Sequence, residues 1–379
     1  EGGSPGPVFG AKWRRAEGEA DYGYTPVPFD PEVLKYVAQE MCKEAGVDLL
    51  FHSFICGVIM DGDKLVGLEV ANKSGKQKIM GKVIIDSTGD CDIAEMAGVP
   101  TVKGMNGIVQ NVSILFRLGN VDMKRFVEAI KNGEKVRGWS DWHTRLAKTQ
   151  GTDEYPPYYV HAAGHMAPWE DDNDAKPVTF TAVSPRPGEI YLNITRITNI
   201  DGTKGEDLSK AEVLERRNVM AMSRAIIKYV PGFEKAYLVS TAPIGIRESR
   251  NIVGEYVLSE DDVVNCTNFD DGVCRGAYPV DIHDPAGGKT MFTFLKDGGS
   301  YNVPYRSFVP LRVDNLLVAG RCISATHVAI GTARMMGCAS SHGQAVGTAA
   351  ALSVVNGVTP RELDVSLLRD TLREQGAIL

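Results

Sequence analysis

Residues 315–351 read NLLVAGRCISATHVAIGTARMMGCASSHGQAVGTAAA. The opening Asn315-Leu316-Leu317-Val318-Ala319 is a short apolar run that closes on Gly320. A strand buried on both faces of a parallel sheet has that pattern. A polar loop follows, from Arg321 to His327, and then a helix is expected from about Thr332 to Val355. Gly337, Ser340, Ser341, Gly343, Gly347 and Thr348 keep its faces thin, which suits a central, closely packed helix. Dense packing alone does not account for the polar loop, nor for a helix started by Gly331 and aimed away from the strand. A helix amino end carries partial positive charge and free N–H groups, so this one predicts an electron-rich partner in front of it.

Working outward, residues 82–100 repeat the theme in KVIIDSTGDCDIAEMAGVP. The spacing predicts a strand over Lys78–Ile85 that delivers Thr88-Gly89-Asp90 to its carboxyl end, the edge where open α/β sheets hold ligands. Glycine there lets the backbone approach a diphosphate, and backbone N–H groups can face its oxygens. Asp90 would accept from a sugar hydroxyl or cap the next helix, and a plain strand–helix turn explains the motif equally well. Upstream, residues 31–45 predict an amphipathic helix with Asp30 as cap and Pro31 at its first position. Strand-like runs Asp48–Met60 and Lys64–Asn72 follow, joined by Asp61-Gly62-Asp63. Farther on, Val178–Ser184 and Glu189–Ile197 flank a Pro185–Gly188 hairpin turn. Ser209-Lys210-Ala211-Glu212 reads as a capping box opening a helix that stops before Pro231-Gly232. Thr359-Pro360 starts a last helix, with Leu363, Leu367, Leu368 and Leu372 on one face and a Gln375-Gly376 stop.

Composition excludes several classes. The 379 residues are 43% hydrophobic and 23% charged, ordinary for a soluble globular protein. Formal charge is 41 − 48 = −7, which leaves no basic footprint for nucleic acid and no basic helix for a membrane surface. No apolar run reaches membrane-span length. Seven cysteines (42, 56, 91, 266, 274, 322, 338) contain no C-x-x-C, and their number is odd. That argues against a disulfide framework or a thiolate zinc site and fits a reducing, cytoplasmic compartment. His161 and His165 stand four apart without the Glu of a zincin, and Glu170–Asp174 reads as a solvated acidic loop, so no metal is expected. Ser340 and Ser341 lack a G-x-S-x-G setting.

The segments FDPEVLKYVAQEM (29–41), KVIIDSTGDCDIAEMAG (82–98), PIGIRESRNIVGEYVLSEDDV (243–263), YPVDIHDP (278–285), VPYRSFVP (303–310) and NLLVAGRCISATHVAIGTARMMG (315–337) come in the order of a known family. The chain resembles the FAD-dependent oxidoreductases of the glutathione-reductase/fumarate-reductase-like superfamily. The resemblance implies an α/β fold: a Rossmann-like FAD-binding domain from residues 1–105 and 301–379, with an α+β substrate domain, 106–300, inserted. It implies that Thr88, Gly89 and Asp90 touch the FAD diphosphate and that the strand near Ile55 meets adenine. Gly320, Arg321, Thr332, Ala333, Arg334 and Met335 would surround the ribitol and isoalloxazine, with Gly331 at the helix start. The expected activity is hydride transfer between a small organic substrate and the flavin.

On the substrate side, Arg247 of Arg247-Glu248-Ser249-Arg250 would grip an acidic group or belong to a structural ion-pair bracket. His283 and His327 would serve as acid or base, or as hydrogen-bonded structural histidines. Arg306 lies just upstream of the cofactor strand and would face the cavity. The family's opening strand–GxGxxG–helix unit is missing. No two glycines anywhere are separated by a single residue, and the first residues are Glu1-Gly2-Gly3-Ser4. The expectation is a fragment, a chain completed by a partner carrying that unit, or a degenerate protein. The last would be a non-catalytic scaffold that does not hold FAD by itself.

Overall fold

The computed structural model describes residues 29–132, 134, 139–148, 158–166, 182–285 and 290–379. The acidic run 170–174 and the start of the Val178–Ser184 strand lie outside them.

The strands Ile84–Asp86 and Leu316–Val318 pair in parallel, Leu316 opposite Ile84 and Val318 opposite Asp86. All three residues of the second are buried, which explains their uninterrupted apolar character. The single strand expected over Lys78–Ile85 is two. Gly75–Met80 is the exposed edge of an antiparallel meander with Phe54–Asp61 and Lys64–Asn72, and the chain turns through Gly81–Val83 before entering the core. One buried side chain joins the two sheets. Asn315 accepts from the Leu65 N–H at 2.9 Å and donates to the Leu65 and Lys82 carbonyls at 2.6 and 3.1 Å.

Helix α1 (Pro31–Glu44) forms as its sequence predicts, with the Asp30 carboxylate accepting from Glu32 N and Pro31 in the first turn. It buries no residue; Tyr36, Met41, Phe51 and Phe54 along and after it are exposed. Helix α2 (Asp92–Met96) follows the first parallel strand.

Two large cores organise the described residues. One combines Leu65, Ile84 and Leu316–Val318 with Tyr301, Phe308, Ile330 and the last helices. The other is a four-stranded antiparallel sheet covered by α3 (Met123–Lys131) and α4 (Gly205–Tyr229). Its strands in order are Tyr237–Thr241, Phe116–Gly119, Glu189–Leu192 and Ala182–Arg186. Phe126 and Phe233 meet edge-to-face at 5.1 Å inside it. Ile252, Val273, Val280 and Tyr301 belong to the first core, together with α5 (Glu260–Val264). The stretch expected to form one insert, 106–300, therefore contributes to both cores.

The pattern at Ser209–Glu212 does not cap α4. The helix begins a turn earlier, Ser209 Oγ donates back to Gly205 O, and Glu212 accepts from Ile244 N. Capping boxes form instead at Ser259/Asp262 and Thr359/Glu362. The helix expected from about Thr332 to Val355 is α7 (Met336–Asn356), a separate short helix α6 (His327–Ala333) precedes it, and α8 (Val365–Glu374) closes the chain. Among the described residues no helix is long and apolar enough to cross a membrane.

Candidate active site

Asp86 organises the turn at the end of the first parallel strand. Its fully buried carboxylate accepts from the Thr88 N–H at 3.0 Å, the Thr88 hydroxyl at 2.7 Å and the Ala94 N–H at 2.9 Å. Thr88 Oγ1 then accepts from Asp92 N at 3.0 Å. The amino end of α2 is thus held by Asp86 and Thr88, and the cap expected of Asp90 is not made. Asp90 turns the other way, accepting from the Ser249 hydroxyl at 2.6 Å and from Arg321 Nη2 at 3.2 Å. Arg321 also donates to Gly89 O at 3.1 Å and Ile246 O at 2.7 Å. Gly89 has φ +86°, and a Cβ there would stand 2.4 Å from the Arg321 guanidinium, so only glycine fits. Thr88, Gly89, Asp90 and Arg321, chosen from two distant stretches, meet in one knot.

The Arg247–Arg250 stretch serves two sites. Arg250 donates to Asp90 O and to Asp92, which is the structural bracket. Arg247 and Glu248 point elsewhere. His327 Nδ1 lies 2.8 Å from both Glu248 oxygens; Glu248 is buried and also accepts from Gln110 N. A carboxylate on Nδ1 fixes the proton there and leaves Nε2 as the basic nitrogen. His283 is different. Arg196, which can only donate, is 2.7 Å from its Nδ1, so the ring proton sits on Nε2, 3.4 Å from Asp281. Burial lowers the His283 pKa, keeping this ring neutral.

Arg306 does not join them. Its guanidinium pairs with Asp271 at 2.9 Å and stacks over Tyr256, with nearly half of the side chain exposed. It is a surface ion pair, not a cavity wall. Nor does Gly331 begin a helix. It lies inside α6, buried, where a Cβ would come within 2.6 Å of Ile282 Cδ1 in the Val280–His283 strand. Thr332 is buried and engaged with Tyr278 O and Tyr301, and Ala333 is buried beside it. Met335 is the N-cap of α7 and makes no side-chain cap. Next to it, Gly337 faces open space, as does Gly320 at φ +65°. Ile55 enters the first core at the amino end of the Phe54–Asp61 strand.

The cysteines near the parallel pair are inert. Cys91 and Cys322 are fully buried, and the hydrogen bond between them, with burial, raises the Cys91 thiol well above its ordinary value. Burial pushes Cys338 up to about 12 and its 3.3 Å neighbour His342 down to about 4. That pair is a neutral thiol beside a neutral imidazole. His161 and His165 lie in the Tyr158–Met166 strand.

A family model described as FAD dependent oxidoreductase matches residues 9–372. The chain belongs to the FAD-dependent oxidoreductase family. Comparison with curated proteins finds no match. Solved structures with a similar course include a geranylgeranyl bacteriochlorophyll reductase-like protein from Thermoplasma acidophilum, 12% identical over 94% of this chain and 62% of that one, TM-score 0.41. The myxobacterial chondrochloren halogenase CndH is 12% identical over 96% of this chain and 61% of its own, TM-score 0.43. L-proline dehydrogenase from P. horikoshii is 13% identical over 93% and 62%, TM-score 0.32. The chain spans about three fifths of the length of these three proteins.

The residues present suit the flavin end of FAD. The uncapped amino end of α7 leaves N–H groups for an electron-rich ring edge, and the open sides of Gly337 and Gly320 admit a flat group. For the diphosphate the chain offers the Gly89 turn but no Gly-x-Gly-x-x-Gly nest.

Proposed function

We propose that this member of the FAD-dependent oxidoreductase family moves a hydride between a small organic substrate and flavin, the flavin end lying at Gly320 and the α7 amino end. The observation that carries the reading is the Gly89–Asp90–Arg321–Ser249 knot at the carboxyl edge of the parallel pair. The cofactor supplies the two-electron chemistry. This chain's residues orient and move protons: Glu248 holds His327 through Nδ1, and Nε2 takes the O–H or N–H proton that the substrate loses as its C–H hydrogen leaves as hydride, or returns it in the reverse direction.

The cofactor site is completed by a strand–GxGxxG–helix segment supplied from outside this sequence. Three features support this: the parallel sheet has two strands among the described residues, α1 buries nothing, and Gly343 and Gly347 of α7 face open space. Titration with FAD tests the proposal. Weak binding by the chain alone, tightened by a complementing segment with that fingerprint, is the expected result. A colourless protein that ignores FAD in both arms would establish a flavin-free scaffold instead. In the completed enzyme His327→Gln keeps its flavin and bleaches it with substrate about 100-fold or more slowly.

A further inference from the structure

Gln110, Asn111, Arg247, Asp281 and Arg334 converge on one buried place between α6 and the Val280–His283 strand. Arg247 donates to Asn111 O at 2.7 Å. Arg334 donates to Asp281 O at 3.1 Å, with the Asp281 carboxylate 3.9 Å away. Asn111 donates its amide to Asp284 O, and Gln110 Oε1 accepts from His283 N, which fixes the orientation of both amides.

What is left over is unusual. Each guanidinium has five N–H donors, yet the hydrogen bonds described for Arg247 and Arg334 go to one neutral carbonyl each. Three buried polar atoms here have no partner among the described residues, Gln110 Nε2, Arg334 Nε and Asn111 Oδ1, while Asp281 Oδ1 faces the His283 ring at 3.4 Å. Two of the three are donors and one is an acceptor. Folded proteins rarely leave such groups unpaired, and buried guanidiniums require an anion. Burial, with Arg334 close by, pushes Arg247 down to about 10, so the carboxylates nearby do not compensate its charge. The same place lies beside His283 and next to α6, whose first residue is His327.

We infer that this cluster is the substrate anchor and takes a carboxylate that also carries a hydroxyl or amino donor, as in a 2-hydroxy or 2-amino acid. The carboxylate meets Arg247, Arg334 Nε and Gln110 Nε2; the donor meets Asn111 Oδ1. Guanidinium–carboxylate pairing is charge-assisted and can be bidentate, which favours a planar carboxylate. The inference rests on the proposed flavin chemistry only for calling the ligand a substrate; the binding itself stands without flavin.

The experiment is thermal melting of the chain at constant ionic strength with lactate, propionate, lactamide or inorganic phosphate, with and without FAD. Lactate should raise the midpoint most, propionate less for lack of the donor, and lactamide not at all. Arg247→Gln should weaken lactate about thirtyfold or more, and Arg247→Lys should restore only part, because an ammonium lacks the planar fork. Asn111→Ala should leave propionate unchanged and bring lactate down to it, which keeps the test decisive if the arginine variants do not fold. Equal stabilisation by phosphate, or by lactamide, would overturn the assignment. If FAD binds while lactate has no effect, the anchor fails alone; if lactate stabilises a chain that never binds FAD, the flavin reading fails and the anchor stands.

Discussion

At the scale of single residues, the decisive side chain was the one the sequence advertised least. Thr88, Gly89 and Asp90 stand out because glycine and polar residues end a strand. Asp86 sits inside the strand Ile84–Asp86, where a carboxylate only interrupts an apolar run. Its role appears once Thr88 N, Thr88 Oγ1 and Ala94 N are seen to converge on it. Asp86→Ala strands two backbone donors in the core, and unpaired buried donors cost about 1–3 kcal/mol each. The expected loss is therefore about 2–5 kcal/mol in denaturant unfolding, against about half of that for Asp86→Asn, which keeps one acceptor. A loss under about 1 kcal/mol for the alanine variant would mean that the turn is held by Arg321 and Ser249 alone. The Glu248–His327 pair was hidden for a related reason. The two residues are 79 positions apart, and no local pattern links them.

At the scale of elements, periodicity recovered the buried strand Leu316–Val318, α1 with its cap, and the end of α4 before Pro231. Helix α7 lies close to its expected span, but the separate short helix α6 ahead of it was not legible. Arg334-Met335 is neither a proline nor a glycine break, and the residues on both sides favour helix. The break comes from tertiary contacts: Thr332 reaches Tyr278 O and Tyr301 while Arg334 reaches Asp281 O, which holds α6 to its strand and lets α7 start afresh. Two glycines that look alike in the sequence consequently differ. Gly331→Leu presses on Ile282 and Asp281 O, an overpacking that costs about 1–3 kcal/mol. A Cβ at Gly337 meets nothing within 4 Å and leucine improves helix propensity, so the fold of Gly337→Leu should be as stable as the parent or more so. In the completed flavoprotein it should weaken FAD by about tenfold or more, because the added side chain fills the open end of α7. Unchanged FAD affinity for Gly337→Leu would move the ring away from that end.

At the scale of the molecule, the two cores each carry a buried group that titrates between pH 4 and 7 and is displaced in the opposite sense to the other. His342 lies in the first core, where burial holds its pKa at about 4. The unfolded chain protonates it near 6.5, so this contribution is intact above that pH and is lost as pH falls toward 4. Glu215 lies in α4, over the second core, and burial pushes it up to about 7 against hydrogen bonds from Thr195 and Asn218. Its folded form keeps a proton that the unfolded chain gives up near 4.5. That contribution is intact below 4.5 and is lost as pH rises through 7. Each shift amounts to about 2–4 kcal/mol at 1.36 kcal/mol per pH unit. If the cores unfold separately, calorimetry between pH 4.5 and 7 should show two transitions moving in opposite directions, the His342 core gaining stability with pH and the Glu215 core losing it. Glu215→Gln should abolish the downward drift of its transition and leave the other untouched. One transition whose midpoint hardly moves, and which Glu215→Gln converts into one that rises with pH, would show instead that the cores unfold together and that the two titrations had been cancelling.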